Sequence, residues 1–444
     1  MPYYRCPPLL QGMNQMNLPE LRRYPPGKDF IGFGDRVPVF APEVVFVKAG
    51  DGVSSRSVLY TSGKEKTVVC IMHPRADMTR HYAVPDIVEN GFAFYAQQGR
   101  FPGDDISAGT IHEPLVADVA AGMVFLRSRG FDHIILLGNS GAAPLYALYQ
   151  AQALTAVPKR LADTAGGDRY DLNEFEMPAA DGFIFLGAHL GPGITLRDHI
   201  DPSIVDENDP LSCDSELDMY DVKNGFKAPS QECKYSTDFL AQYRAAQQVR
   251  SSRIDATAWA LIREQRQSEV RMGSVGFDKL DYKDQAAAMR RAAMWRLLQL
   301  HRFDADPAAV DLSLRPSDRS YGSLMSVRPD IMNYAMPGSR LFSPKVWLSS
   351  WSARHSRARL LDWLPKITVP SLILTYTGDN AIGPEVAELV HRESPAADKM
   401  FAAVVGDHFG YPVPSKPNQG GREAAIKVMV DWLRKRFPST RRAI

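Results

Sequence analysis

The segment His133–Gln150, HIILLGNSGAAPLYALYQ, decides how the rest of the chain is read. The apolar run Ile134–Leu137 enters Gly138, the chain turns on Asn139 and Ser140, and small and apolar residues then continue in a helical pattern. A serine that only fills a turn does not need small neighbours on both sides. One held out from a sharp strand-to-helix corner does, because strand and helix must approach closely there. Gly138 and Ala142, two before and two after Ser140, meet that need, with alanine adding one methyl group where glycine is commoner.

Outward from this corner, short apolar runs of strand length recur with helical patterns between them: EVVFVKAG (43–50), SRSVLYTSG (55–63), KTVVCIMHP (66–74), FAFYAQQG (92–99), HIILLGN (133–139), GFIFLGAH (182–189), SLILTYTGD (371–379) and FAAVVGDH (401–408). Strands alternating with helices predict an α/β fold with a mostly parallel sheet. Leu115, Val119, Met123 and Leu126 share one helical face that Gly130 closes, and GREAAIKVMVDWLRKRF (421–437) reads as the last helix. The alternation stops after Leu190 and resumes near Pro365. Between them the sequence shows no clear buried strand and three helical stretches, at 236–250, 255–270 and 281–303, the last with Met294, Leu297 and Leu298 on one predicted face. So long a segment is too large for a loop and predicts an inserted, mainly helical domain. The expected organisation is core over 1–190, insertion over 191–365 and core again over 366–444.

Composition narrows the function classes. With 52 basic and 51 acidic residues in 444, net charge +1, the chain has no general field to attract nucleic acid or an anionic membrane. The N-terminal stretch is broken by prolines and polar residues and does not read as a secretion signal, and no run approaches the ~18 apolar residues of a membrane span. A soluble, cytoplasmic protein is expected. Cys6, Cys70, Cys213 and Cys233 are few and show no CxxC spacing, so reduced thiols are expected rather than a zinc site or disulfide scaffold, although Cys213 and Cys233 are one conceivable pair. No cofactor or metal is expected. The glycines around Ser140 miss the dinucleotide spacing, TSGKEKT is not a phosphate loop, His112-Glu113 lacks a second histidine one turn on, and the carboxylates form no calcium loop.

The corner LLGNSGAAPL, set between strand and helix patterns, resembles the nucleophile elbow of the α/β-hydrolase superfamily, over roughly the first 190 and last 80 residues. The resemblance implies an α/β-hydrolase fold, a helical cap in the inserted segment, and a triad in the order serine, acid, histidine. Asp379 lies just past one late strand and His408 past the next, at the carboxyl edge where Ser140 also sits. An aspartate there commonly ends a turn, and an isolated histidine is commonly structural. Their joint order makes Ser140, Asp379 and His408 the expected triad, with Asp198, Asp201 and Asp407 as competitors for the acid's place. The resemblance also implies an oxyanion loop after the third strand. There, Pro74 has no N–H to give, which leaves Arg75, or Ala76, as expected backbone donor beside Gly141, with His73 bracing the loop and Asn139 supporting the elbow.

A serine at the elbow suits acyl transfer to water. Met289, Met294, Trp259, Trp295, Tyr243 and Tyr321 are candidates to line an apolar pocket, or else form the insertion's own core, and as a group they favour a hydrophobic small-molecule substrate. The expected activity is hydrolysis of a carboxylic ester or lactone. Carbon–carbon bond hydrolysis next to a ketone, acyl transfer to an alcohol, and a catalytically silent binding protein on the same scaffold stay open, as do monomer and homo-oligomer.

Overall fold

The computed structural model describes residues 21–24, 31–34, 36–101, 110–229, 231–335 and 339–440. All eight apolar runs form strands: β1 (Glu43–Lys48), β2 (Ser54–Tyr60), β3 (Thr67–Ile71), β4 (Ala93–Gln97), β5 (His133–Asn139), β6 (Gly182–Leu186), β9 (Ser371–Tyr376) and β10 (Lys399–Val404). They build one eight-stranded sheet in the order β1-β2-β4-β3-β5-β6-β9-β10. β2 pairs antiparallel with both β1 and β4, and every pair from β4 to β10 is parallel. This order, with helices on both faces, is the α/β-hydrolase fold.

The inner strands are apolar throughout because both faces of the sheet are covered. Ile134 and Leu136 of β5 face one core with α2 (His112–Ser128) and α3 (Ala142–Ala153). Ile135 and Leu137 face the other, with α1 (Val84–Glu89) and α8 (Gly421–Arg436). Leu115, Val119, Met123 and Leu126 are all buried on α2, as their spacing predicts, and Gly130 ends that turn in a left-handed conformation with φ +84°. Each such fully buried aliphatic side chain stabilises the fold by about 1.5–3 kcal/mol. From β4 the chain crosses β3 through α2 to reach β5. The direction of sheet building therefore reverses beside β3 and β5, where open α/β sheets leave a crevice at the carboxyl ends of their strands.

Between β6 and β9 the chain forms α4 (Pro192–His199), α5 (Thr237–Met272), α6 (Tyr282–Ala293) and a two-stranded ribbon of β7 (Leu298–His301) with β8 (Ser339–Phe342). The two helices expected at 236–250 and 255–270 are one continuous helix of 36 residues. The third ends at Ala293, so the expected face of Met294, Leu297 and Leu298 does not exist; Met294 is 50% and Leu297 39% exposed. Leu298 and Leu300 are instead buried with exposed Gln299 between them, the period of a strand, and this alternation prevails over the helical reading. The ribbon, with β7 only half-buried, adds two short strands to a stretch in which the sequence shows no clear buried one. Helices α7 (Pro384–Glu393) and α8 complete the fold. Among the described residues, no helix is long and apolar enough to cross a membrane. Cys70, Cys213 and Cys233 are free thiols, and Cys6 lies outside the described residues.

Asp201, a competitor for the catalytic acid, is consumed by this inserted segment. Its Oδ2 accepts from Arg302 Nη2 at 2.7 Å and Asn333 Nδ2 at 2.7 Å, and its Oδ1 from the N–H and hydroxyl of Ser203. Asp201 and Arg302 are both buried. Removing one partner strands the other's charge away from water, so Asp201→Ala is expected to cost about 3–5 kcal/mol in urea unfolding. Asp198→Ala, which removes a half-exposed carboxylate paired to Arg197, is expected to stay within about 0.5 kcal/mol of the parent.

Candidate active site

Ser140 is in the left-handed region, φ +52°, a conformation that a non-glycine residue holds only when its surroundings enforce it. The enforcement is local. The Ser140 N–H donates to the Leu186 carbonyl of β6 at 2.9 Å, and the Asn139 side chain donates to the same carbonyl at 3.0 Å. A methyl group on Gly138 would lie 2.7 Å from the Ala143 Cα. The close approach of strand to helix is therefore made by Gly138 against Ala143, one residue beyond the Ala142 that sequence spacing suggests. Asn139 is buried and ties the elbow to the neighbouring strand.

Asp379 and His408 follow β9 and β10, and the Nδ1–H of His408 donates to Asp379 Oδ2 at 2.7 Å. The other carboxylate oxygen accepts the N–H groups of Ala381 at 2.7 Å and Ile382 at 2.9 Å. Both acceptor oxygens are thus occupied, and the carboxylate is fixed in orientation. With its proton on Nδ1, the imidazole keeps its Nε2 lone pair for a base's work. Burial opposes charging His408, but the charge and hydrogen bond of Asp379, with the charge of Asp407, outweigh it and raise its pKa above the ordinary 6.5. The competing acids are turned elsewhere: Asp407 accepts from the Tyr24 hydroxyl and the N–H groups of Phe409 and Tyr411, and Asp198 pairs with Arg197.

Ser140 and His408 line one cavity of about 270 Å³, together with Arg75 and His189. Its apolar wall comes chiefly from the inserted segment, through Leu196, Phe303, Leu324, Met325, Phe342 and Trp351. The residues that sequence reasoning offered for this wall are elsewhere. Met289, Met294 and Trp295 are at least half exposed on the outer surface, Tyr243 is buried with its hydroxyl donated to the Ala305 carbonyl, and Trp259 packs edge-on against His355. Tyr321 packs beside the buried cluster around Tyr235 and Tyr243.

The loop after β3 corrects a further expectation. The Arg75 N–H, expected as an oxyanion donor, is donated to His73 Nδ1 at 3.1 Å, and the Ala76 N–H joins it at 2.9 Å. His73 Nδ1 holds the loop by accepting both N–H groups, and in doing so takes up both candidate donors. The Arg75 guanidinium lies over the Trp351 ring, 4.6 Å from its centre, at the cavity wall. Sequence reasoning also missed His189, at the carboxyl end of the β6 run. The signal that selected Asp379 and His408, a chemically able side chain just past a buried strand, applies to it equally.

No protein-family model matches the chain, and no curated protein matches it. Among solved structures it is similar to DcsB, determined in complex with a substrate analogue, at 14% identity over 89% of this chain and 99% of that one, with a TM-score of 0.46. It is similar also to the esterase domain of a Rhodothermus marinus protein, at 10% identity over 89% and 99% of the two chains with a TM-score of 0.40. A malate-bound esterase of Thermogutta terrifontis shares 14% identity over 88% and 98%, with a TM-score of 0.39.

The contact at Gly138 yields a stability prediction. Gly138→Ala places a methyl group against Ala143 backbone, which cannot rotate away. The variant is expected to lose about 1–3 kcal/mol, read as a lower urea midpoint at an unchanged slope.

Proposed function

We propose that this protein is a serine hydrolase that cleaves a carboxylic ester or lactone of a small molecule with an apolar body, through an acyl-enzyme on Ser140. The observation that carries the reading is the 2.7 Å hydrogen bond from buried His408 to buried Asp379, with the same imidazole lining the cavity into which the elbow presents Ser140. Ser140 Oγ attacks the carbonyl carbon while its proton passes to His408 Nε2, and Asp379 stabilises the imidazolium that forms. His408 then gives that proton to the leaving oxygen. A water molecule, deprotonated by the same nitrogen, attacks the acyl carbon; collapse releases the acid and restores Ser140. The segment 191–365 acts as a cap, since Leu196, Phe303, Phe342 and Trp351 supply much of the cavity's apolar surface and so favour a hydrophobic or aromatic group next to the scissile bond.

Ser140→Ala is expected to abolish hydrolysis of p-nitrophenyl esters and labelling by a fluorophosphonate while leaving the thermal melt unchanged; labelling that persists in the variant would remove the proposed nucleophile. The base must be neutral to act, so kcat/KM is expected to be full at high pH and to fall as pH drops through the pKa of His408, giving an acid limb above the ordinary 6.5. Asp379→Asn is expected to move that limb to lower pH and to reduce kcat severalfold or more, measured as a pH–rate profile.

A further inference from the structure

Addition to a carbonyl puts negative charge on its oxygen, and a hydrolase needs donors waiting where that charge develops. The backbone N–H groups expected as donors in the loop after β3 do not supply them here. Pro74 has none, and those of Arg75 and Ala76 are spent on His73 Nδ1. What meets the residue after the nucleophile is instead a pair of imidazoles. A methyl group built on Gly141 would lie 2.8 Å from His73 Nε2 and 3.2 Å from His189 Nε2. The two rings come from the ends of β3 and β6, the strands that flank β5 in the sheet, so they close on Gly141 from opposite sides.

The hydrogen bonds at the far nitrogens settle what these rings can do. His73 Nδ1 accepts from two backbone N–H groups, and His189 Nδ1 accepts the Gly191 N–H at 3.1 Å. A nitrogen that accepts carries the lone pair, so in each neutral ring the proton sits on Nε2, the atom directed at Gly141. Burial, aided by the charge of Arg75, lowers both pKa values, that of His189 to about 3, and keeps both rings uncharged near neutrality. A ring in this state has no lone pair at Nε2 and cannot compete with His408 as base. It can only donate.

We propose that His189 and His73, through their Nε2–H groups, form a side-chain oxyanion hole with the Gly141 N–H at the start of α3. This rests on the serine-hydrolase reading given above. Neither imidazole gives up its proton in the step they assist: the Ser140 oxygen–carbon bond forms as the Ser140 proton passes to His408 Nε2, the carbonyl π pair shifts onto oxygen, and the three N–H donors hold the charge until the leaving group departs. It also gives residue 141 a reason to be glycine, since a side chain there would occupy the space on which both rings converge.

His189 is the cleaner probe, because His73 also anchors its loop. The experiment compares parent, His189→Ala and His189→Gln by kcat and KM on a p-nitrophenyl ester, by affinity for a trifluoromethyl ketone, by the rate of fluorophosphonate labelling, and by thermal melt. The Ala variant is expected to lose about 10²–10³ in kcat with KM little changed, and to lose ketone affinity and labelling rate in parallel. The Gln variant, which keeps a side-chain N–H, is expected to recover about tenfold or more of that loss. A folded Ala variant that retains kcat and ketone affinity within about threefold, while the parent labels at Ser140, overturns the imidazole hole and leaves the serine mechanism standing. A kcat loss without loss of ketone affinity overturns it equally. Absence of labelling in the parent overturns the serine reading itself.

Discussion

The backbone of Ser140 is the constraint around which the molecule is arranged. At φ +52° it lifts the serine out of the plane in which β5 would continue and sends the chain into α3. That geometry survives because Gly138 and Ala143 leave room for strand and helix to meet, and because the Leu186 carbonyl of β6 holds both the Ser140 N–H and the Asn139 side chain. The strain is local, and the means of bearing it are the apolar strand buried on both faces and the helix packed behind it. A left-handed residue costs on the order of 1–3 kcal/mol, which a core of this size outweighs easily.

From that corner the sheet does the positioning. β3, β6, β9 and β10 lie on either side of β5 and run parallel to it, so the residues just past their carboxyl ends are gathered at one rim. His73, Ser140, His189, Asp379 and His408 are such residues. Three imidazoles thus stand in one buried region, and their surroundings separate their chemistry. His408 faces a carboxylate through Nδ1, which favours its charged form and leaves Nε2 a lone pair; His73 and His189 face backbone N–H groups through Nδ1, which leaves Nε2 a proton. The same side chain becomes base or donor according to what its other nitrogen touches.

The inserted segment contributes a different kind of determinant. Its stability depends on polar ties as well as apolar packing, with the Asp201–Arg302 pair buried among Ser203, Asn333 and Ser212. Its apolar side chains divide between its own core, around Ile254, Ile262 and Trp347, and the cavity wall formed by Leu196, Phe342 and Trp351. The cavity wall is thus assembled from short segments far apart in the chain. The elbow, by contrast, lies in one continuous stretch.

That difference separates what the chain states by itself from what folding adds. The sheet, the helices against it, the elbow and the places of Asp379 and His408 are legible in the sequence, because each is marked by a contiguous pattern: an apolar run of strand length, a helical period, a glycine-flanked serine, a polar residue just past a strand. The break of the predicted helix after Ala293 was masked because Leu297, Leu298 and Leu300 satisfy helical and strand spacings at once. The direction of the Arg75 N–H was not legible at all, since an imidazole two residues earlier competes for it and only the folded loop decides the outcome. The convergence of His73 and His189 on Gly141, and the wall of the cavity, depend on contacts between segments distant in the chain, and no local pattern encodes a meeting of that kind.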